Sequence, residues 1–276
     1  MMRLAQVITL TIALAGVHGP TPATAKAECL DVPLGLTARI QDGMKYVDQW
    51  LQGVRAIESP EYQDVWFVTG DVGGPDYHNH VDYASWAVTS LDPDFAEIYR
   101  VDEGHADYLS NYPDSEDTVG ITVSKLSSGL GDAFSCVRDA AEDAGGMGLD
   151  RKTWDERHGA TKRTNDGFAT KGGPIRFHAE GERVVGIDYA LKDHLSLGEA
   201  QVLSFDLLPA DSVRSEPSAE EMATDNPNVY TSEWLGERLE GKADWGSADD
   251  GTFTVSFDLD AVDGLVSSFS VATGRP

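Results

Sequence analysis

The densest run of side chains able to hold a metal ion is Asp76-Tyr77-His78-Asn79-His80-Val81-Asp82. On an extended strand, residues two apart share a face, so His78 and His80 can present their imidazoles to one ion. Asp76 and Asp82 can add carboxylates, and imidazole with carboxylate suits Zn²⁺ or Cu²⁺. The set lacks a third strong ligand nearby. His105, in Glu103-Gly104-His105-Ala106-Asp107, supplies it only if the fold brings it close. A polar loop following Gly73-Gly74-Pro75 explains the same residues without any ion.

Two acidic runs invite a calcium reading: Asp114-Ser115-Glu116-Asp117 and Asp258-Leu259-Asp260-Ala261-Val262-Asp263-Gly264. The second lacks the ligand spacing and the distant glutamate of an EF-hand, and its Asp-Gly end reads as a hairpin turn. For nucleophilic catalysis there is no Gly-x-Ser-x-Gly and no Ser-x-x-Lys. Ser127 and Ser128 read as a helix cap. Gly70-Asp71-Val72-Gly73-Gly74 follows a strand, but neither a helix start nor a lysine follows it, so it reads as a turn and not a phosphate cradle. With 47 Asp and Glu in the chain, paired carboxylates arise by coincidence and do not indicate a glycosidase.

The only two cysteines are Cys29 and Cys136. In an oxidising compartment an isolated pair forms a disulfide, and the long loop closed here is worth about 4–5 kcal/mol on the chain-entropy model. Two buried free thiols are the alternative. The compartment follows from the N-terminus, where residues 1–25 read as a secretory signal peptide. Met1-Met2-Arg3 is a short positive start, 4–17 is apolar and uncharged, and 18–27 is rich in small residues. Ala23-Thr24-Ala25 and Ala25-Lys26-Ala27 are both cleavage sites of the small-x-small kind. The apolar run is shorter than the ~20 residues of a spanning helix, and no later segment is long enough, so no membrane span is expected after cleavage. Lys26-Ala27-Glu28 before Cys29 is a poor context for lipidation. The product is expected to be secreted or associated with the cell envelope. The full chain's formal net charge of −26 repels nucleic acid and anionic lipid, and favours solubility and cationic partners.

The elements that must position these groups suggest an α+β fold of two small domains, each with helices packed on an antiparallel sheet. The first spans 28–144 and is closed by the disulfide; Gly145-Gly146-Met147-Gly148 is the linker; the second spans 149–276. In the first, apolar spacing predicts helices over 30–44, 104–112 and 128–144. Strands are expected at 54–57, 65–72, 83–91 and 97–101. In the second, Thr153-Trp154-Asp155-Glu156 and Ser196-Leu197-Gly198-Glu199 read as capping boxes that open helices. Strands are expected at 174–178, 183–191 and 213–216, and 229–239 is ambiguous between strand and helix. The alternating 251–259 and 265–272 form the clearest hairpin. Of the six tryptophans, Trp66 and Trp86 belong to strands and the first core. Trp50, Trp154, Trp234 and Trp245 are expected to be partly exposed.

With these residues laid out, the chain resembles secreted proteins and lipoproteins of actinobacteria. The similar features are Cys29-Leu30-Asp31-Val32-Pro33, the strand starting Asp64-Val65-Trp66, Trp86-Ala87-Val88-Thr89, the Cys136-Val137 pair, the run 197–209 and the closing 264–274. The second half also looks like the helix-plus-sheet modules of small periplasmic lipoproteins and of a secreted β-lactamase inhibitor protein. The resemblance implies an exported protein and no particular reaction. The expected function is binding to a protein or cell-envelope partner, without cofactor. The alternative is a divalent metal site, or a metal-dependent enzyme, built on His78 and His80.

Overall fold

The computed structural model describes residues 28–46, 49–74, 83–101, 105–121, 128–143, 145–164, 167–170, 175–180, 183–215, 228–239 and 251–274. The fold is α+β, as expected, with two antiparallel sheets. The signal segment and Asp76, His78, His80 and Asp82 lie outside the described residues. No helix among the described residues is long and apolar enough to cross a membrane.

The first sheet is a meander of five strands in chain order. They are β1 (Leu30–Asp31), β2 (Trp50–Glu58), β3 (Trp66–Gly73), β4 (Tyr83–Val88) and β5 (Ile98–Arg100). Helix α1 (Leu34–Asp42) covers one face, where Leu36 and Ile40 meet Leu51, Val54, Val68 and Trp86. Helix α4 (Ser128–Asp143) covers the other, where Leu130 and Ala133 meet Ile57, Phe67 and Ala87. Between them run two short helices, α2 (Ala106–Leu109) and α3 (Ser115–Val119). The long helix expected over 104–112 is therefore only one turn, closed where Ser110 turns extended.

β2 could not bury both Leu51 and Val54 on one face if it were regular, because side chains alternate. Its register shifts between Gln52 and Arg55, and Gly53 takes φ 56°. This bulge inserts one residue, returns Val54 to the face of Leu51, and turns the Gly53 backbone outward. The disulfide joins Cys29, just before β1, to Cys136 on α4, with Cα atoms 5.7 Å apart.

The second sheet has eight strands in the order β10-β11-β12-β13-β9-β8-β7-β6. They are β6 (Thr161–Thr164), β7 (Gly167–Thr170), β8 (Ile175–Glu180), β9 (Arg183–Leu195), β10 (Val213–Arg214), β11 (Asn228–Thr231), β12 (Thr252–Leu259) and β13 (Val266–Thr273). The ambiguous segment splits into β11 and then α7 (Glu233–Leu239), while α5 (Arg151–His158) precedes β6. The second core gathers Trp154, Ile187, Leu207, Tyr230, Leu235, Phe253 and Phe269. Helix α6 (Leu197–Phe205) begins with the expected capping box: Ser196 takes the Glu199 N–H, and Glu199 reaches back to Ser196.

Two expectations are corrected. The cap of α5 is Asp150, whose carboxylate accepts from the Thr153 N–H at 2.9 Å; Thr153 sits inside the helix. Trp50 and Trp154 are buried, at 2% and 0% exposure. The glycine-rich 145–148 segment, the expected linker, is hydrogen-bonded to the second half. Gly146 and Met147 N–H both donate to Leu207 O, Gly148 N–H donates to Val184 O, and Met147 is buried.

Candidate functional site

The two sheets meet along a seam made by the start of β2 and the end of α6. Trp50 opens β2 but belongs to the second core. Its ring stacks on Phe205 at 5.5 Å and meets the edge of Tyr230 at 5.7 Å, and Tyr230 stacks on Phe253 at 5.4 Å. Opposite Trp50 in the β2–β3 ladder is Gly73, where a Cβ would lie 2.5 Å from the indole Nε1. Glycine is thus needed there to let the indole lie flat on the strand.

A helix end leaves backbone carbonyls without helical partners. At the end of α6 the bulge of β2 supplies partners. Gln52 Nε2 donates to Phe205 O at 2.5 Å and to Leu208 O at 3.1 Å. The outward Gly53 N–H donates to Asp206 Oδ1 at 2.9 Å. Burial pushes the Asp206 carboxyl above the usual carboxylate range, opposed by the Gly53 N–H and by the nearby Arg55 guanidinium. Helix α6 also packs along α1, so the seam holds helix against helix as well as helix end against strand.

Beside this lock lies a cavity of about 230 Å³. Gln41 and Met44 from the end of α1 form one wall, and Gln49 and Trp50 the next. Gln201 and Phe205 of α6 and Asn228 and Tyr230 of β11 also line it. Asp42, Tyr46 and Arg214 complete the lining.

The wall divides by bonding. Gln41 is scaffold: its Nε2 donates to Gln49 O at 2.7 Å, and its Oε1 accepts from the Leu51 N–H at 3.0 Å. Arg214 donates to Asn228 Oδ1. Gln49 Oε1 is buried and has no hydrogen-bond partner among the described residues. Burial raises the Tyr230 hydroxyl above its ordinary pKa, with Arg214 pulling the other way, so the group stays neutral and can both donate and accept. The lining residues thus include carboxamides, a phenol and aromatic rings.

The residues singled out from sequence lie elsewhere. His105 is half-buried, with φ 63°, at the position before α2. Asp76, His78, His80 and Asp82 lie outside the described residues. The acidic run at 114–117 is a cap: Asp114 Oδ1 accepts from Glu116 and Asp117 N–H at 2.8 and 3.0 Å, and Arg100 lies 3.6 Å from its Oδ2. The run at 258–264 is a turn, in which Asp260 Oδ1 accepts from the Val262 N–H and Asp263 Oδ1 from the Leu265 N–H. His194, from the end of β9, joins it with Nδ1 3.1 Å from Asp263 Oδ2. His194, Asp260 and Asp263 bring ligand atoms within 4.8 Å of one another. The turn bonds and the His194–Asp263 pair account for that grouping, and the Leu265 N–H, then His194, hold the Asp263 carboxyl below its ordinary range.

Comparison of the chain with protein-family models, with curated proteins and with solved structures finds no match. The reading of the site therefore rests on its own chemistry. None of the seam residues carries a motif, and the bonds that lock β2 to the end of α6 join distant parts of the chain, 153 residues apart for Gln52 and Phe205. The sole local hint is Arg214, a cation in a strongly acidic chain.

Proposed function

We propose that this protein is an exported, acidic binding protein, of the kind its sequence resembles among actinobacteria, and that it recognises its ligand at the seam cavity. The observation that carries the reading is the cavity itself, about 230 Å³ where the two sheets meet, lined by Gln49, Gln201, Phe205, Asn228 and Tyr230. Ligand pockets favour junctions of this kind, with aromatic walls and a few convergent polar groups. The disulfide supports export, since such bonds persist in oxidising compartments.

The test is native mass spectrometry of the protein recovered from the medium of its own cells. The expected result is a chain cleaved before Lys26 or Glu28, with a small molecule that leaves on denaturation. In an Asn228→Trp variant, which fills the cavity, the adduct is expected to be lost. An intact Met1 with both thiols alkylatable would overturn export. A wild-type adduct that persists in Asn228→Trp would place binding elsewhere.

A further inference from the structure

We infer that the outer face of the second sheet binds the same face of a second copy of the chain, giving a two-fold dimer. Side chains alternate along a strand. One face of this sheet takes Ile187, Phe253, Val255, Phe269 and Val271 into the core, where Leu203 and Phe205 of α6 pack against it. The alternate positions make the other face. There Ala190, Ser256, Asp258 and Ala272 are exposed, and Asp188, Ser268 and Ser270 are half-buried. The small serine and alanine side chains let a second sheet come close, at the spacing of about 10 Å that stacked sheets adopt.

The ladder fixes how two such faces meet. Ser256 pairs with Ser270, Ser270 with Asp188, Asp188 with Arg176, Arg176 with Ala169, and Ala169 with Lys162. These positions form one row across the sheet from β12 to β6. A two-fold axis parallel to the strands lays the row on its own reverse. The position of Asp188 then comes opposite the partner's Arg176, and that of Arg176 opposite the partner's Asp188. Ser270 comes opposite the partner's Ala169, and Ser256 opposite the partner's Lys162, with the exposed Asp258 two residues further along β12. Acid thus meets base at the centre, and small residues meet on either side. An axis across the strands would instead set Asp188 on the partner's Asp188 and Arg176 on the partner's Arg176, so charge selects the first arrangement.

Twist turns two aligned sheets by about 30°, which keeps the centre of the row in register and splays its ends. From β12 to β6 the row is about 24 Å wide, so the interface is small and the dimer reversible. The net charge of −26 opposes association at long range. At about 0.15 M salt the screening length is about 8 Å, so repulsion between distant acidic parts is damped while the facing central charges act at contact.

The test is sedimentation velocity of the disulfide-intact mature chain at about 0.15 M salt and roughly 100 μM protein, a concentration suited to a small interface. The wild-type chain is expected to sediment as a dimer. Asp188→Lys and Arg176→Glu are each expected to sediment as monomers, because like charges then face each other across the axis. An equimolar mixture of the two variants is expected to recover a dimer, since each offers the other the opposite charge at both facing positions. A role of these residues within one copy alone would not produce that recovery. Thermal melts check that the variants fold. Should either charge variant fail to fold, Ser270→Arg, a surface change that blocks close approach, decides: it is expected to weaken the dimer at least about tenfold. A monomeric wild-type chain would overturn the inference. So would a dimer that persists in the folded variants, or a mixture of folded charge variants that stays monomeric.

Discussion

Replacing Gln52 with leucine should measure how firmly the two halves are locked. Gln52 is 2% exposed and projects from the bulge of β2 to the end of α6. Leucine keeps roughly the volume but donates nothing. Phe205 O would retain the Leu208 N–H, 3.1 Å away, so there the loss is one net hydrogen bond, about 1 kcal/mol. Leu208 O would lose its Gln52 partner in a buried place, which costs about 1–3 kcal/mol. The sum is about 2–4 kcal/mol, a large share of the roughly 5–15 kcal/mol that holds a folded protein. In urea denaturation the midpoint should fall accordingly, with the slope unchanged. Gln52→Glu should be worse, because a carboxylate only accepts and would face two carbonyl oxygens beside Asp206. A loss below about 0.5 kcal/mol for Gln52→Leu, the range of neutral surface changes, would refute the claim that this side chain caps α6 across the seam.

Reducing the disulfide, or replacing Cys29 and Cys136 with serine, should cost about 4–5 kcal/mol, since the bond closes a sequence separation of 107 residues. Urea midpoints with and without reductant check this, and a loss under about 1 kcal/mol would contradict the chain-entropy estimate. The Asp206 carboxyl is raised by burial, so the native state holds its proton more tightly than the unfolded chain. Its contribution is fully present below the unfolded pKa of about 3.9 and is lost as pH rises through the folded value. Asp206→Asn still accepts from Gly53 N–H, so it should flatten that decline and be no less stable at pH 7; urea midpoints across pH would show a steeper decline if the assignment is wrong. Gly251→Ala should abolish folding, because its Cβ would stand 2.0 Å from Ser232 O at φ 76°. Gly264→Ala, at φ 70° with nothing within 4 Å, should cost only the left-handed penalty of about 1–2 kcal/mol, as thermal melts of the pair would show.

What was legible in the sequence is what neighbours in the chain decide. Ser196 and Glu199 satisfy each other across one helical turn, so their pattern sufficed. The β12–β13 hairpin alternates apolar and polar residues on both sides of a short turn, and Phe257 indeed pairs with Phe269. Helix α4 announced itself by its apolar stripe. Thr153 misled because the hydroxyl-x-x-Glu pattern is real, but Asp150 lies three residues earlier and captures both the Thr153 N–H and its hydroxyl. Strands β6 and β7 were missed because their residues are too polar to show an alternation, though Thr164 pairs with Gly167. Trp50 was misjudged because its partners, Phe205 and Tyr230, come from the other half of the chain.

The site was not legible for a further reason, which concerns bonding and not distance alone. The seam uses the same residue types for two purposes. Gln41 and Gln52 spend their amides on backbone carbonyls and an N–H, and Asp206 spends its carboxylate on Gly53; these residues build the wall. Gln49 lines the same space with its oxygen unmatched. In the sequence Gln41, Gln49 and Gln52 are interchangeable, and only the fold separates scaffold from recognition. The histidines and acidic runs drew notice because imidazoles and carboxylates are conspicuous. Yet the described acidic runs are consumed by caps and turns, where Asp114, Asp260 and Asp263 each hold backbone N–H groups. A chain with many acids has to place them where backbone donors need acceptors.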